Sequence, residues 1–86
     1  MSSTHVEIIT LEKVVYSGDV ESVVVPGAEG QLGILANHAS LMSILSTGLI
    51  RLISEGNEVR FNVDGGFIEV NKNSVTILAD SCDTVE

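Results

Sequence analysis

The chain has 86 residues, enough for one domain over 1–86 and too short for two. Twelve Asp and Glu against four Lys and Arg give a formal charge of −8. That charge repels nucleic-acid phosphates and anionic lipid head groups, so neither nucleic acid nor direct membrane insertion is expected. No apolar run reaches the roughly 18 residues of a membrane-crossing helix, and no secretory leader is expected from the first residues. At 44% hydrophobic residues the chain is rich for its size, which predicts apolar surface left for a partner to cover. A single cysteine, Cys82, has no internal disulfide partner, which fits a reducing compartment.

In chain order, residues 5–11 read as a first strand, and Val20 to Val25 as a short, β-branched, well-buried one. A glycine-rich stretch follows, Pro26-Gly27-Ala28-Glu29-Gly30-Gln31-Leu32-Gly33. From His38 to Leu45, the positions of Leu41, Ile44 and Leu45 allow a helix, but the segment is short and serine-rich and is taken as strand or irregular. Residues 48–54 are strand-like. In residues 58–64, Val59, Phe61 and Val63 alternate with Glu58, Arg60, Asn62 and Asp64, the period of a strand with one wet face. Residues 74–79 repeat this with Val75 and Ile77 opposite Thr76. Turns are expected at Glu55-Gly56-Asn57, Asp64-Gly65-Gly66 and Asn71-Lys72-Asn73, where glycine and asparagine tolerate positive φ. Strands recurring every 8–12 residues or so predict an all-β sandwich or small barrel.

Candidate chemistry is sparse. A glycine loop that cradles phosphate needs a following helix and usually a lysine or arginine; neither is expected here, and Glu29 would repel an anion. The stretch reads better as a tight loop, or as a shaped loop that contacts another protein, with Pro26 lowering its entropy cost of ordering. His5, His38 and Cys82 have no metal-ligand spacing. Cys82 lies near Asp80 and Asp83, whose carboxylates would raise its thiol pKa and dull it as a nucleophile. The carboxylates are scattered, without a convergent pair. Of three aromatics, Phe61 is assigned to the core and Tyr16 to a strand end; with Phe67 they are too few for a base-stacking platform. No catalytic, metal or cofactor residue is identified, and the pattern points to binding.

Three blocks in order carry a family resemblance. Residues 26–34 with His38 and Leu41 resemble the P/T-G-x-E-G-x-x-G signature, followed by H-x-x-(L/M), of the F-type ATP synthase epsilon subunit. Gly65-Gly66-Phe67-Ile68-Glu69-Val70 is similar to its G-G-x-x-E-V, and Val75-Thr76-Ile77-Leu78-Ala79-Asp80 to its V-T-(I/V)-L-A-(D/E). Ile9-Thr10 through Tyr16-Ser17-Gly18 resembles the opening strands. The resemblance implies the N-terminal domain of that subunit, a ten-stranded antiparallel β-sandwich of two sheets. It implies a non-catalytic central-stalk (rotor) subunit that links the gamma subunit to the c ring and couples proton or sodium flow to ATP synthesis, with no small-molecule ligand or cofactor. Its place would be peripheral, on the cytoplasmic face of a bacterial plasma membrane or the stromal or matrix face of an organelle membrane. By position in the motifs, Glu29, Gly30 and Gln31 would contact the c ring, and Thr10, His38, Met42 and Ser43 the gamma subunit. The chain departs from the pattern in two places. It stops at Glu86, where relatives continue into a helical hairpin, so that hairpin's inhibitory and nucleotide-sensing roles do not carry over. It also has Leu-Ala-Asn-His-Ala-Ser at 35–40, where relatives often have proline and glycine. The alternative reading is a small ligand-binding β-sandwich or adaptor domain that uses the glycine loop 26–33.

Overall fold

The computed structural model describes residues 3–85, apart from the side chain of His38. Every regular element in it is a strand: β1 (Thr4–Ile9), β2 (Val14–Val20), β3 (Ser22–Gly27), β4 (Gly30–Leu35), β5 (His38–Ser54), β6 (Asn57–Lys72), β7 (Ser74–Ala79) and β8 (Cys82–Val85). Their hydrogen-bonded order is β2-β1-β7-β6-β5-β3-β4, with β8 also on β6.

The long hairpin β5–β6 makes this one ladder into a sandwich. Its rungs run in one register from Leu41↔Val70 to Ser54↔Asn57. The buried side changes partway along. Leu45, Ile68 and Val70 are buried on the half near β7, whereas Ile50, Leu52, Phe61 and Val63 are buried on the other half. In β5 the buried positions pass from odd to even numbers, and in β6 the same change falls on the facing residues. Successive side chains in a strand point to opposite faces, so the hairpin must turn over between these halves. The turn falls at Gly65 and Gly66, with φ of 89° and 146°. Before it, β6 pairs with β8 through Arg60–Val63; after it, with β7 through Gly66–Asn71. Both layers close on one core that includes Val6, Ile8, Val23, Val25, Ile34 and Ile77.

The sandwich expected from the sequence is present, with differences of detail. Eight strands are continuous rather than ten, because β5 and β6 each cross from one layer to the other without a break. Dividing each at the corner would give ten. The sandwich is not wholly antiparallel: β1 lies parallel to β7, from His5↔Ser74 to Ile9↔Leu78. Asp64-Gly65-Gly66 does not reverse the chain; positive φ there serves the corner inside β6. The Val20–Val25 segment is divided at Glu21, whose N–H donates to the Ile53 carbonyl at 2.9 Å. Tyr16 sits inside β2, edge-on to Phe61 with ring centroids 5.8 Å apart, and Phe61 is in the core as expected. The segment from His38 is strand. At the β5–β6 turn, Glu55 and Gly56 have φ of 53° and 80°, the double positive φ that a two-residue hairpin loop requires. Cys82 is buried, and its thiol pKa is raised as expected, but first by burial, which the sequence reading did not include, and only then by Asp83.

One polar pair makes stability depend on pH. His5 and Asp19 face each other across β1 and β2, with His5 Nδ1 2.8 Å from Asp19 Oδ1 and Nε2 3.8 Å from Glu7. The hydrogen bond to Asp19 raises the imidazole pKa above its usual 6.5, and the charges of Asp19 and Glu7 add to this. A raised pKa means that the folded state holds the proton more tightly. The stabilisation is therefore complete below the unfolded pKa of about 6.5 and fades as pH rises through the folded value. In parallel thermal melts, His5→Gln will lower Tm most at acid pH, and the gap from the parent will narrow as pH is raised to 9. A gap independent of pH would contradict the pairing.

Candidate partner-binding surface

The outer side of the layer formed by β2, β1, β7 and the adjoining halves of β6 and β5 is where polar residues belong if the face is wet. Instead, a row of apolar side chains crosses it. Ile44 of β5 faces Phe67 of β6, Phe67 faces Leu78 of β7, Leu78 faces Ile9 of β1, and Ile9 faces Val14 of β2. Ile44 is 63% exposed, Val14 57% and Leu78 49%, while Phe67 and Ile9 are half-buried. Met42 joins the row at one corner and is 65% exposed. Past Met42, the next rung on this face is polar, running through Glu69, Thr76 and Glu7 to Ser17. A continuous apolar stripe with a polar margin is the pattern of a protein-contact surface.

The β3–β4 hairpin stands beside this row. Its tip carries Glu29, Gly30 and Gln31, all exposed. The Ala28 N–H donates to the Ile44 carbonyl at 2.9 Å, and Ser46 Oγ donates to the Pro26 carbonyl at 3.2 Å. The arm of the hairpin that leads into the tip is thus tied to β5 at two points. Between hairpin and strand lies an open concavity of ≈ 600 Å³, lined by residues 27–32 and by Met42, Ser43 and Ile44. The glycine-rich stretch leads into a strand and not a helix, so it lacks the helix N-terminus that a phosphate cradle uses.

The residues expected from the sequence therefore fall at three places. Glu29, Gly30, Gln31, Met42 and Ser43 share one concavity, although the first three were expected to meet a different partner from the last two. Thr10 lies three strands from Ser43, in a hollow of ≈ 450 Å³ with Ile9, Leu11 and Leu78. Its N–H donates to the Lys13 carbonyl at 2.9 Å, and its Oγ1 accepts from the Glu12 N–H at 3.3 Å, closing the β1–β2 turn. His38 opens β5 opposite Lys72, and its side chain lies outside the described residues. Sequence reasoning missed Ile9, Ile44, Phe67 and Leu78. Their signal was an apolar residue at the wet position of a strand: Leu78 follows Ile77 on the side shared with Thr76. Among the described residues, no group of three or more His, Cys, Asp or Glu is placed to hold a metal ion.

Comparison with known proteins places this arrangement in a family. The family model described as the beta-sandwich domain of the ATP synthase Delta/Epsilon chain matches residues 3–84. A protein named ATP synthase epsilon chain from Pelotomaculum thermopropionicum is 44% identical over 82 residues, 95% of this chain and 61% of its own length. Another of that name, from Brevibacillus brevis, is 45% identical over 84 residues, covering 96% and 64%. The chain thus spans about three fifths of the length of these curated relatives. Among solved structures, a chain of the Euglena gracilis mitochondrial ATP synthase superposes with a TM-score of 0.91 over 98% of this chain and 54% of that one, at 21% identity. A chain of the Tetrahymena thermophila enzyme's central stalk and c-ring structure gives 0.77 over 92% and 64%, at 17% identity. At those identities the two structures speak for the fold alone. With its sequence matched from residue 3 to residue 84, the chain belongs to the family of ATP synthase delta/epsilon chain β-sandwich domains.

Proposed function

We propose that this domain is a non-catalytic rotor module of an F-type ATP synthase, held between the gamma subunit and the c ring so that the two turn together. The observation that carries the reading is the apolar row from Ile44 to Val14, which is continuous, outward-facing and unnecessary for the core. In this reading gamma covers the row and the residues at its two ends, Met42 and Ser43 at one and Thr10 at the other. The c ring meets the hairpin tip at Glu29, Gly30 and Gln31. Torque passes between the two contacts through a short path. The tip and the row are joined by the hydrogen bond from Ala28 to Ile44 and by the packed strands beneath, and close-packed interiors transmit strain with little compression. The domain sits peripherally at the membrane through these partners. The family name of the relatives supports the reading.

The test is association with each partner separately. Purified domain is titrated against the gamma subunit, and against isolated c ring in detergent. Binding to gamma and, with gamma present, to the ring is the expected result; failure to bind gamma would overturn the reading. Glu29→Gln will change ring affinity by less than about 1 kcal/mol and flatten its dependence on salt, because an exposed charge at a contact rim is well screened. Met42→Glu will weaken gamma binding much more, because a carboxylate must then be desolvated against apolar surface.

A further inference from the structure

We propose that the outer face of the opposite layer is a second docking surface, centred on Arg51 and Arg60, and that it takes an acidic segment of a partner chain. This face is distinct from the apolar row, and the proposal does not rest on the rotor reading. One rung runs across it from Gly33 of β4 through Val24 of β3, Arg51 of β5 and Arg60 of β6 to Val85 of β8.

Three observations point to an anionic occupant. The first is the arginine pair. Two of the chain's four lysine and arginine residues stand directly opposite each other in a ladder, where like charges repel. Nothing in the core requires them, since both side chains point away from it. The second is Glu58. Its Oε2 lies 3.3 Å from Arg51 Nε and 3.7 Å from Arg60 Nε, so a single carboxylate is shared between two guanidinium groups. Glu58 shows which chemistry fits between them, and it neutralises only one of the two charges. Among the described residues, neither arginine forms an ion pair with any other acid.

The third observation is Gly33. A glycine inside a strand destabilises it relative to alanine and needs a reason. Gly33 does not have the positive φ that would require glycine, and a Cβ there would meet nothing within 4 Å. The chain itself therefore supplies no reason. A backbone lying close over β4 from outside does, and Gly33 is on the same rung as the arginines. Leu49 and Ile53, two residues to either side of Arg51, give the face apolar margins. A short acidic peptide laid across β4, β3, β5 and β6 would put its backbone over Gly33 and a carboxylate between the guanidiniums, with Glu58 swinging aside.

The test uses the full chain, labelled with 15N, and two probes, capped hexaglutamate and capped hexalysine, at low salt. Hexaglutamate should shift the Nε–Hε signals of Arg51 and Arg60 and the amide of Gly33; hexalysine should not. Arg60→Gln should weaken the binding about tenfold or more, the scale of one lost charge-assisted contact, and Glu58→Gln should tighten it. Gly33→Ala should weaken binding while leaving Tm unchanged or higher, an outcome that a purely structural glycine would not give. Ile44→Glu, on the other layer, should leave hexaglutamate binding intact whether or not gamma binding is lost. The proposal is overturned if the arginine signals stay still, if the Arg51→Gln, Arg60→Gln double variant binds as well as the parent, or if the same signals move with protein concentration alone, which would make the occupant a second copy.

Discussion

Ile44→Glu will weaken association with the gamma subunit by about 100-fold or more, equivalent to roughly 3 kcal/mol, and will leave the fold intact. The side chain is 63% exposed, so the free domain loses little packing, and surface changes of this kind usually alter stability by about 0.5 kcal/mol or less. In the complex the situation reverses. Ile44 lies at the meeting point of the row and the concavity beneath the hairpin tip, so a partner covering either must bury it. The substitution removes apolar contact worth about 1.5–3 kcal/mol when fully buried and sets an unpaired carboxylate in its place. Leu78→Glu, two strands away on the same row, will act in the same direction. The two losses together will fall short of their sum if one continuous partner surface covers both. Calorimetric titration of gamma, with melts of each variant as a control for folding, gives the answer. Parent-like affinity in both variants would remove the row from the interface.

How much of this was legible in the sequence depended on whether one strand or several had to be considered. Phe61 and Val63 announced their burial by strict alternation, and Gly56 announced the turn, although its second positive φ falls on Glu55 and not on Asn57, which already belongs to β6. Both signals are local. The corner at Gly65-Gly66 used the same turn residues for a different end, and the sequence could not separate the two uses. A glycine pair that reverses the chain and one that turns a strand over differ only in which strands lie on either side. The parallel pairing of β1 with β7 joins residues almost seventy positions apart, from His5 to Ser74, and no spacing encodes it. The binding surface was split in the same way. Glu29 to Gln31 and Met42 were reached by family motif, whereas Ile9, Ile44, Phe67 and Leu78 come from four strands and form a row only once the register is known. Each of them alone is an ordinary exposed apolar residue, and such residues are common on any protein surface.

Gly66→Ala will be the most damaging single methyl group in the chain. Gly66 occupies the corner of β6 with φ of 146°, a conformation that residues with a Cβ adopt at a cost of about 1–3 kcal/mol. The added Cβ would also press on the Leu78 carbonyl oxygen and lie 2.9 Å from Ala79 Cα. Both are backbone atoms of β7, held by the β6–β7 ladder, and on its other side Gly66 is paired with Leu45. Neither neighbour can give way without breaking a ladder in the layer that carries the apolar row. The combined loss should be about 3 kcal/mol or more, and in a domain of this size each kcal/mol lowers Tm by roughly 4–8 °C. Gly56→Ala separates the two causes. Gly56 also has positive φ, 80°, but a Cβ there meets nothing within 4 Å. It should therefore show the backbone penalty alone, about 1–2 kcal/mol. Denaturant melts of the two variants measure the difference, which belongs to the close approach of β6 and β7. Equal losses would mean that the corner is not tightly packed. The hairpin could then turn over elsewhere, and the row from Ile44 to Leu78 would lose the rigid register on which its continuity depends.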